Sequence, residues 1–445
     1  MESDKFCLRQ SYGGRRKLGT ILTLIIFFSF FGWVGSSQAD ISSVSGDVIH
    51  GQSITISGSD FGIKNPAKPL MWDDCESETV DTAPSEITVN SASQVAYSDY
   101  QLGTYRNGVN IPEAYQMKYR TFPYTPVSVA ITAPHSYSTQ CLSGGHYETG
   151  SSDNAGRSIS LTIPTAGGIG VFADRWYIRF LYHVNPEWPS CQSDTNHKVT
   201  IMQSDISEYG GPTYVNDYYY MSFGVPDYSP CGHEDADHVY SHNNACTDST
   251  YDSFPDNTPP WYFGQAPDHT GGASATLAGA WTQWIENTQV VSNDQGYLYY
   301  YINNKLTWGG ENNPDFFTGS GSYDLGYPGI GSVSIGGYWS YTNVPQTQNN
   351  NAFRLFDDIY VDDTLSRVML ANNSTYESAT IVEPQPPTAW ASGEITVTVN
   401  QGRLPDGTAY LFVFDADGNS SVGSVTVGGT FDTTAPSHPT GLGVE

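Results

Sequence analysis

Short segments of alternating polar and apolar residues recur along this chain of 445 residues, and turn-forming residues separate them. Residues 53–58 and 393–399 are two examples. A period of two puts every second side chain on one face of a strand, and Gly, Pro, Asn and Asp mark the turns. The 45 Gly, 26 Pro and 31 Tyr agree with this pattern. The sequence therefore predicts an all-β protein built as an antiparallel sandwich, and only residues 273–290 fit a short helix as well as a strand.

The charge balance opposes two classes of partner, nucleic acids and anionic lipid surfaces. The chain has 18 Lys and Arg against 46 Asp and Glu, a net charge of −28. Residues 1–39 contain five of the bases and two of the acids, so the remainder carries −31. A surface this acidic repels nucleic-acid phosphates and anionic lipid headgroups. We therefore predict that the protein binds no nucleic acid. Aromatic residues reach 13%, which is atypical of disordered acidic segments, so we also predict a folded protein.

Residues 1–39 have the order of a secretory signal peptide. The basic stretch Arg15-Arg16-Lys17 precedes an apolar run over residues 20–34, and small residues precede Asp40. The run is shorter than the roughly 20 residues of a spanning helix, which disfavours an uncleaved anchor. We predict a secreted protein, extracellular or at the cell surface, with no membrane insertion after the signal is removed.

Signal cleavage would leave five cysteines, which are Cys75, Cys141, Cys191, Cys231 and Cys246. An oxidising compartment favours pairing, and an odd count leaves at least one thiol free or paired with another chain. Cys231 and Cys246 flank a short polar loop and form the predicted local disulfide. A second bridge could join Cys141 to Cys191 and leave Cys75 unpaired, but the sequence does not decide the pairing of these three.

The two ends of the chain resemble two halves of one family. Residues 41–63 (ISSVSGDVIHGQSITISGSDFGI) resemble the opening of a TIG/IPT domain, an immunoglobulin-like fold with a strand followed by a "G…ltItGsgFG" segment. The closing half of that family, with a Trp, an "ItVtV" strand and a final glycine turn, resembles Trp390, Ile395–Val399, Gly407–Phe414 and residues 417–420.

The resemblance implies one domain split by an insertion. Neither end alone has enough strands to bury two faces. The implied organisation is a signal peptide at 1–39, TIG-like halves at 40–70 and 367–430, an insert at 71–366, and a Thr/Pro-rich linker at 431–445. The alternative is two unrelated immunoglobulin-like fragments that flank the central region.

The insert resembles the concanavalin A-like jelly rolls of laminin G modules, carbohydrate-binding modules and polysaccharide lyases. Residues 297–305 (YLYYYINNK) resemble a hairpin of that superfamily, and residues 356–362 (FDDIYVD) resemble its terminal strand. The resemblance implies a jelly roll inserted into an immunoglobulin-like sandwich, and it identifies no activity.

Acidic residues stand at both ends of the insert. Asp73 and Asp74 open it, and Asp357 and Asp358 close it. The first and last strands of a jelly roll commonly pair, and related jelly rolls often hold a structural calcium near these termini. Since Ca²⁺ takes six to eight oxygen ligands, we predict a structural Ca²⁺ at these four residues. The alternative is that they are solvated outward positions of a strand.

A second polar cluster lies between Cys231 and Cys246. It contains His233, His238 and His242. Imidazole groups suit Zn²⁺ or Cu²⁺, but spacings of five and four residues match no standard signature. We therefore predict a surface loop there and no transition metal.

The candidate ligand-binding residues are aromatic. Sugar rings present apolar C–H faces that stack on aromatic side chains, although tyrosines on a strand also pack well against each other. The candidates for a glycan-binding face are Tyr218, Tyr220, Trp261, Trp308, Tyr338 and Trp339.

The catalytic residues are unknown at this stage, but one reaction class has candidates. Elimination at a uronate needs a Tyr or His base beside an Arg, Gln or Asn that neutralises the carboxylate. Such a site could be composed from Arg175, Arg179, His183, His197, Lys198 and Gln203, although these residues equally suit structural roles. Paired carboxylates in a glycosidase pattern, nucleophile triads and phosphate-binding loops are absent from the sequence.

Three functional classes remain open. The favoured one is a secreted glycan-binding or surface-interaction module whose partner is a polysaccharide or surface glycan. The second is a polysaccharide lyase acting on uronate-containing glycans. The third is a structural or adhesive protein with a protein partner.

Overall fold

The computed structural model describes residues 39–82, 96–99, 117–126, 130–145, 159–162, 164–165, 168–169, 175–184, 195–203, 218–223, 239–243, 280–289, 297–311, 332–335, 339–341 and 353–428. These residues form strands almost throughout, with one 3₁₀ turn at Tyr376–Ser378. The all-β prediction is confirmed, and residues 282–289 of the ambiguous segment are a strand. In this part of the chain no helix is long and apolar enough to cross a bilayer.

The strands of the first half, in chain order, are β1 (Asp40–Ser45), β2 (Ser53–Ser59), β3 (Met71–Asp73), β4 (Ala96–Asp99), β5 (Lys118–Thr121), β6 (Gln140–Gly145), β7 (Ile159–Thr162), β8 (Pro164–Thr165), β9 (Gly168–Ile169), β10 (Arg175–Val184), β11 (Thr195–Gln203), β12 (Tyr218–Phe223) and β13 (Val239–Asn243). Those of the second half are β14 (Thr282–Gln289), β15 (Tyr297–Ile302), β16 (Lys305–Glu311), β17 (Ser332–Ile335), β18 (Trp339–Tyr341), β19 (Phe353–Asp362), β20 (Arg367–Ala371), β21 (Val382–Pro384), β22 (Pro387–Ala391), β23 (Glu394–Thr398), β24 (Gly407–Phe414) and β25 (Ser420–Val427).

The larger of the two central sheets has eight strands in the order β16-β15-β14-β10-β19-β6-β5, with β3 also paired to β19. Every residue of β19 is buried, because this strand is covered on both faces. On one face, Phe180 and Tyr182 of β10 pack against Trp284 and Phe356. Aromatic residues therefore form the centre of this layer, as the abundance of Tyr, Trp and Phe indicates.

The other central sheet has seven strands in the order β13-β12-β11-β17-β7-β4, with β18 also paired to β11. All of these pairings are antiparallel, and β8 and β9 form a separate two-stranded ribbon. Strands β10 and β11 are consecutive along the chain but belong to different sheets. Residues on these two strands therefore do not form one surface through strand pairing.

Two four-stranded sheets are formed by the ends of the described chain. Their orders are β1-β2-β23-β22 and β21-β20-β24-β25. In the first sheet Ile54 of β2 is the partner of Val397 of β23, although more than 300 residues separate them in sequence. Both side chains lie in a common apolar core that also contains Phe61 and Leu411, and the Trp390 indole donates a hydrogen bond to the Phe61 carbonyl.

The second four-stranded sheet packs against the eight-stranded sheet. Tyr177 and Tyr360 from the larger sheet share an apolar cluster with Phe412 and Phe414. The guanidinium of Arg367 lies between two of these rings, 4.1 Å from the centroid of Tyr177 and 3.8 Å from that of Phe414. The side chain of Tyr177 on β10 is therefore buried against the second four-stranded sheet.

Candidate functional site

The register of the seven-stranded sheet distinguishes its two faces. Thr200 of β11 is the direct partner of Ile335 of β17, and both side chains are buried. Cross-strand partners lie on the same face of a sheet, and successive residues alternate between faces. Gln203 and its partner Ser332 therefore lie on the opposite face from Thr200 and Ile335.

That opposite face is polar along the whole sheet, and we call it the polar face. From β4 to β13 its positions are Ala96, Ser98, Ser160, Thr162, Ser332, Ser334, Lys198, Ile201, Gln203, Tyr218, Tyr220, Ser222, Tyr240 and His242. All but two of these residue types form side-chain hydrogen bonds. The same register assigns to the inward face the apolar or aromatic residues Tyr97, Leu161, Val333, Met202, Tyr219 and Met221, together with the polar Asp99, Ser241 and Asn243 at its two ends. One apolar and one polar face are typical of an antiparallel sheet with one side in solvent.

The sequence-predicted aromatic residues divide between several places. Tyr218 and Tyr220 occupy the polar face of β12, and Trp339 of β18 is the partner of His197. Trp308 is in β16 of the eight-stranded sheet, and Trp261 and Tyr338 lie outside the described residues. The strand pairing thus brings only part of the predicted aromatic set into one sheet.

The predicted uronate-binding residues divide in the same way. His197, Lys198 and Gln203 are in β11, and a register shift between Lys198 and Thr200 interrupts the alternation there. Arg175, Arg179 and His183 are in β10, in the other sheet. Arg175 is partly exposed and donates to the Ala416 carbonyl, whereas His183 is buried against the ring of Trp281.

Arg179 is fully buried within a network of charged and amide groups. It forms an ion pair with Glu383 of β21, and it donates a hydrogen bond of 3.1 Å to the carbonyl of Asp358. Arg403 donates from Nε to the other oxygen of Glu383 at 2.7 Å, and it also contacts Gln283. These contacts join the eight-stranded sheet to the second four-stranded sheet.

The four aspartates of the predicted calcium site lie close to one another. Asp73 pairs with Ile359, the residue after Asp358. Burial raises the pKa of the Asp74 carboxyl, and the charge of Asp358 adds to this shift. Asp73 accepts a hydrogen bond from the Tyr119 hydroxyl at 2.8 Å, and Asp74 accepts one from the backbone N–H of Glu76 at 3.2 Å. Among the described residues no three His, Cys, Asp or Glu side chains are arranged to hold a metal ion. The calcium site therefore stays a prediction.

Asp357 and Asp358 have opposite pKa shifts although they are neighbours. Burial, followed by the charge of Asp358, raises the pKa of the Asp357 carboxyl well above its usual value. Burial also acts on Asp358, but His135, at 3.2 Å, and Arg179 outweigh it and lower the pKa of Asp358 to about 2. Of the two carboxyl groups, Asp358 therefore loses its proton at the lower pH.

Several residues of the polar face are absent from the sequence-based candidates. Ser332 and Ser334 alternate with the apolar Val333 and Ile335, and this short alternation is the signal that marks them. His242 was considered only for metal binding, and His233 and His238 of the same cluster lie outside the described residues. Cys191, Cys231, Cys246 and residues 1–38 also lie outside them.

No protein-family model matches the chain, and no curated protein matches it. Solved structures that align with it include an endo-β-1,4-glucuronan lyase from the fungus Trichoderma reesei, with 11% identity over 67% of this chain and 97% of that chain and a TM-score of 0.31. An alginate lyase from Aplysia kurodai aligns with 8% identity over 50% and 83% of the two chains and a TM-score of 0.31. An alginate lyase from a Chlorella virus aligns with 10% identity over 51% and 86% and a TM-score of 0.30. At these TM-scores the alignments carry no argument about this chain.

Proposed function

We propose that this protein binds a polysaccharide strand along the polar face of its seven-stranded sheet. The observation that carries the proposal is the register, which assigns Gln203, Tyr218, Tyr220 and His242 to one face of three adjacent strands. Tyrosine rings stack on the apolar faces of sugars, and amide, imidazole and hydroxyl groups bond to sugar hydroxyls. The Ser and Thr positions on β4, β7 and β17 extend the row of hydrogen-bonding groups without adding bulk.

The same face supports a second candidate, a lyase acting on uronate-containing glycans. The supporting observation is that Gln203 and Tyr218 are direct cross-strand partners, as are Tyr220 and His242. In this candidate Gln203 binds the uronate carboxylate and Tyr220 or His242 removes the proton from C5. The electron pair forms the C4–C5 double bond, the C4–O bond breaks, and the leaving oxygen takes up a proton. This candidate uses neither Arg175 nor Arg179, which are in the other sheet.

A glycan array combined with absorbance at the unsaturated-uronate band tests both candidates. Binding without new absorbance supports the module, and new absorbance supports the lyase. Gln203→Ala should weaken either signal at least tenfold. Arg175→Gln is the control, because Arg175 lies at a solvent-accessible position of the other sheet. The absence of both signals in the folded protein would contradict both candidates and leave a structural or adhesive role with a protein partner.

The chain organisation proposed here is a TIG-like domain split by an inserted jelly roll. The pairing of β2 with β23 and the apolar core shared by Ile54 and Leu411 support it. The experiment is to delete residues 71–366 and join the ends with a short Gly/Ser linker. A cooperative melt is the expected result, and an unfolded product would count against the split domain.

The proposal also includes export of the protein and binding of Ca²⁺. The order of basic, apolar and small residues over 1–39 supports cleavage and secretion. The proximity of Asp74 and Asp358 supports Ca²⁺ binding.

A further inference from the structure

Two buried cysteines approach the same position of strand β19 from neighbouring strands. Strand β10 occupies one edge of β19, so β3 and β6 follow each other along the other edge. Asp73 of β3 is opposite Ile359, and Leu142 of β6 is opposite Phe356. Cys75 follows Asp73 by two residues, and Cys141 precedes Leu142 by one. If each antiparallel register continues, both cysteines come to the position of Asp357 on β19.

Hydrogen bonds hold the two chain segments together at this point. The carboxylate of Glu76, directly after Cys75, accepts from the backbone N–H groups of Thr139 at 2.7 Å and Gln140 at 3.0 Å. The side-chain amide of Gln140 donates back to the carbonyl of Glu76. The residues next to the two cysteines are therefore in direct contact.

The surroundings of the two sulfur atoms are shared and dry. Cys75 and Cys141 are both fully buried, and the Cys75 Sγ lies 3.9 Å from the carbonyl oxygen of Phe356. Burial, followed by the charges of Asp73 and Asp357, raises the pKa of the Cys75 thiol, and Cys141 adds to this effect. Burial, followed by the charge of Asp357, likewise raises the pKa of the Cys141 thiol. The charge of Asp357 therefore acts on both thiols.

We propose that Cys75 and Cys141, which are thiols in this structure, form a disulfide in the oxidised protein. The bond links Cys75, which follows strand β3, to Cys141 of strand β6. One thiolate attacks a disulfide oxidant, such as a low-molecular-weight glutathione-type disulfide, forms a mixed disulfide and releases one small thiol. The second protein thiol then attacks the protein sulfur of this mixed disulfide and releases the other small thiol. The protein loses two hydrogen atoms, and the oxidant is reduced to two thiols. Because both sulfur atoms are shielded in the folded state, this exchange takes place while the chain folds.

This pairing changes the assignment of the remaining cysteines. A Cys75–Cys141 bridge excludes the Cys141–Cys191 bridge that the sequence left open. With Cys231 paired to Cys246, the unpaired thiol becomes Cys191 rather than Cys75. The two alternatives predict different cross-linked peptides.

Peptide mapping of the full chain tests the proposal. The protein is reduced and unfolded, refolded in a buffer of reduced and oxidised glutathione, and its free thiols are alkylated before digestion without reduction. We expect one cross-linked peptide pair that contains Cys75 and Cys141. The oxidised form should melt about 5 °C above the form refolded under reducing conditions.

Variants separate this bridge from the others. Cys75→Ala and Cys141→Ala should each remove the cross-linked pair and the part of the thermal shift that depends on it, and the double variant should lose no more than either single variant. Cys246→Ala is the matched control and should retain the Cys75–Cys141 pair. Alkylation of both Cys75 and Cys141 when the oxidised wild type is unfolded in denaturant together with the alkylating reagent, or a peptide that links Cys141 to Cys191, would overturn the proposal, and neither result depends on the stability of a variant.

Discussion

The buried guanidinium of Arg179 forms an ion pair with the buried carboxylate of Glu383, and this pair joins two sheets of the protein. Arg179 is in β10 of the eight-stranded sheet, and Glu383 is in β21. Neither charge has access to water, so both depend on neighbouring charges, and Arg403 at 2.7 Å from Glu383 and Asp358 at 3.5 Å from Arg179 complete the network. The role that this geometry supports for Arg179 is therefore to hold the two sheets together.

Removing one partner of this pair should strongly destabilise the protein. We expect Arg179→Met or Glu383→Gln to lower the free energy of unfolding by about 3–5 kcal/mol, because each removes one charge from a buried network and leaves the remaining charges unbalanced. The double variant should lose less than the sum of the two. Arg175→Gln is the control, since its partner Asp417 is largely exposed, and should cost less than about 1 kcal/mol. Denaturant melts measure all four variants, and additive losses would contradict the coupling.

The adjacent aspartates Asp357 and Asp358 should respond to pH in opposite ways. The pKa of Asp358 is lowered to about 2, so its charge stabilises the fold above about pH 4, and this contribution is lost as the pH falls towards 2. Asp358→Asn should therefore cost about 2 kcal/mol at neutral pH and less in acid. Asn suits the position because Asp358 has a φ of 49°, which Asn adopts more readily than most residues.

Asp357→Asn is the matched variant at the neighbouring position. The pKa of Asp357 is raised, so the wild type loses stability as the pH rises from about 4 towards that raised value. A neutral Asn removes this loss, and it keeps an acceptor for the backbone N–H of Asp358. Relative to the wild type, this variant should gain stability with rising pH. Unfolding free energies of both variants between pH 3 and pH 7 check the prediction, and parallel pH profiles for the two would contradict it.

Consecutive tyrosines of β12 offer a matched test of the polar face. Tyr220 belongs to that face, whereas Tyr219 is the partner of Met202 on the inward face. Tyr220→Ala should weaken glycan binding at least tenfold with a change in stability below about 1 kcal/mol. Tyr219→Ala should instead destabilise the protein by about 3 kcal/mol or more, as large-to-small changes in a core do. Binding titrations and thermal melts of both variants measure the difference, and a reversal would mean that the faces are assigned the wrong way round.

The predicted calcium site has a direct thermal consequence. Binding to the folded state alone stabilises it by about 2.7 kcal/mol when free Ca²⁺ is a hundredfold above Kd. EDTA should therefore lower the melting temperature, and Ca²⁺ should restore it better than Mg²⁺, which requires a stricter octahedral shell. Asp74→Asn should remove most of this difference. Superimposable melts in EDTA and in Ca²⁺ would eliminate the site.

The sequence by itself determined the local character of this protein. Alternation in residues 53–58, bounded by turn residues, predicted a strand, and β2 is that strand. This succeeds because the period of two is a property of neighbouring residues along one strand. The aromatic abundance likewise indicated large buried rings, as found at Phe180 and Trp284.

Only the tertiary structure decided which residues meet. Arg179 and Gln203 looked equivalent as polar residues on neighbouring strands, but β10 and β11 entered different sheets, and Arg179 became buried against Glu383. Cys75 and Cys141 likewise approach each other only because β3 and β6 share one edge of β19. The physical reason is that strand order and register depend on pairings between distant residues, and a shift of one residue moves every side chain to the other face.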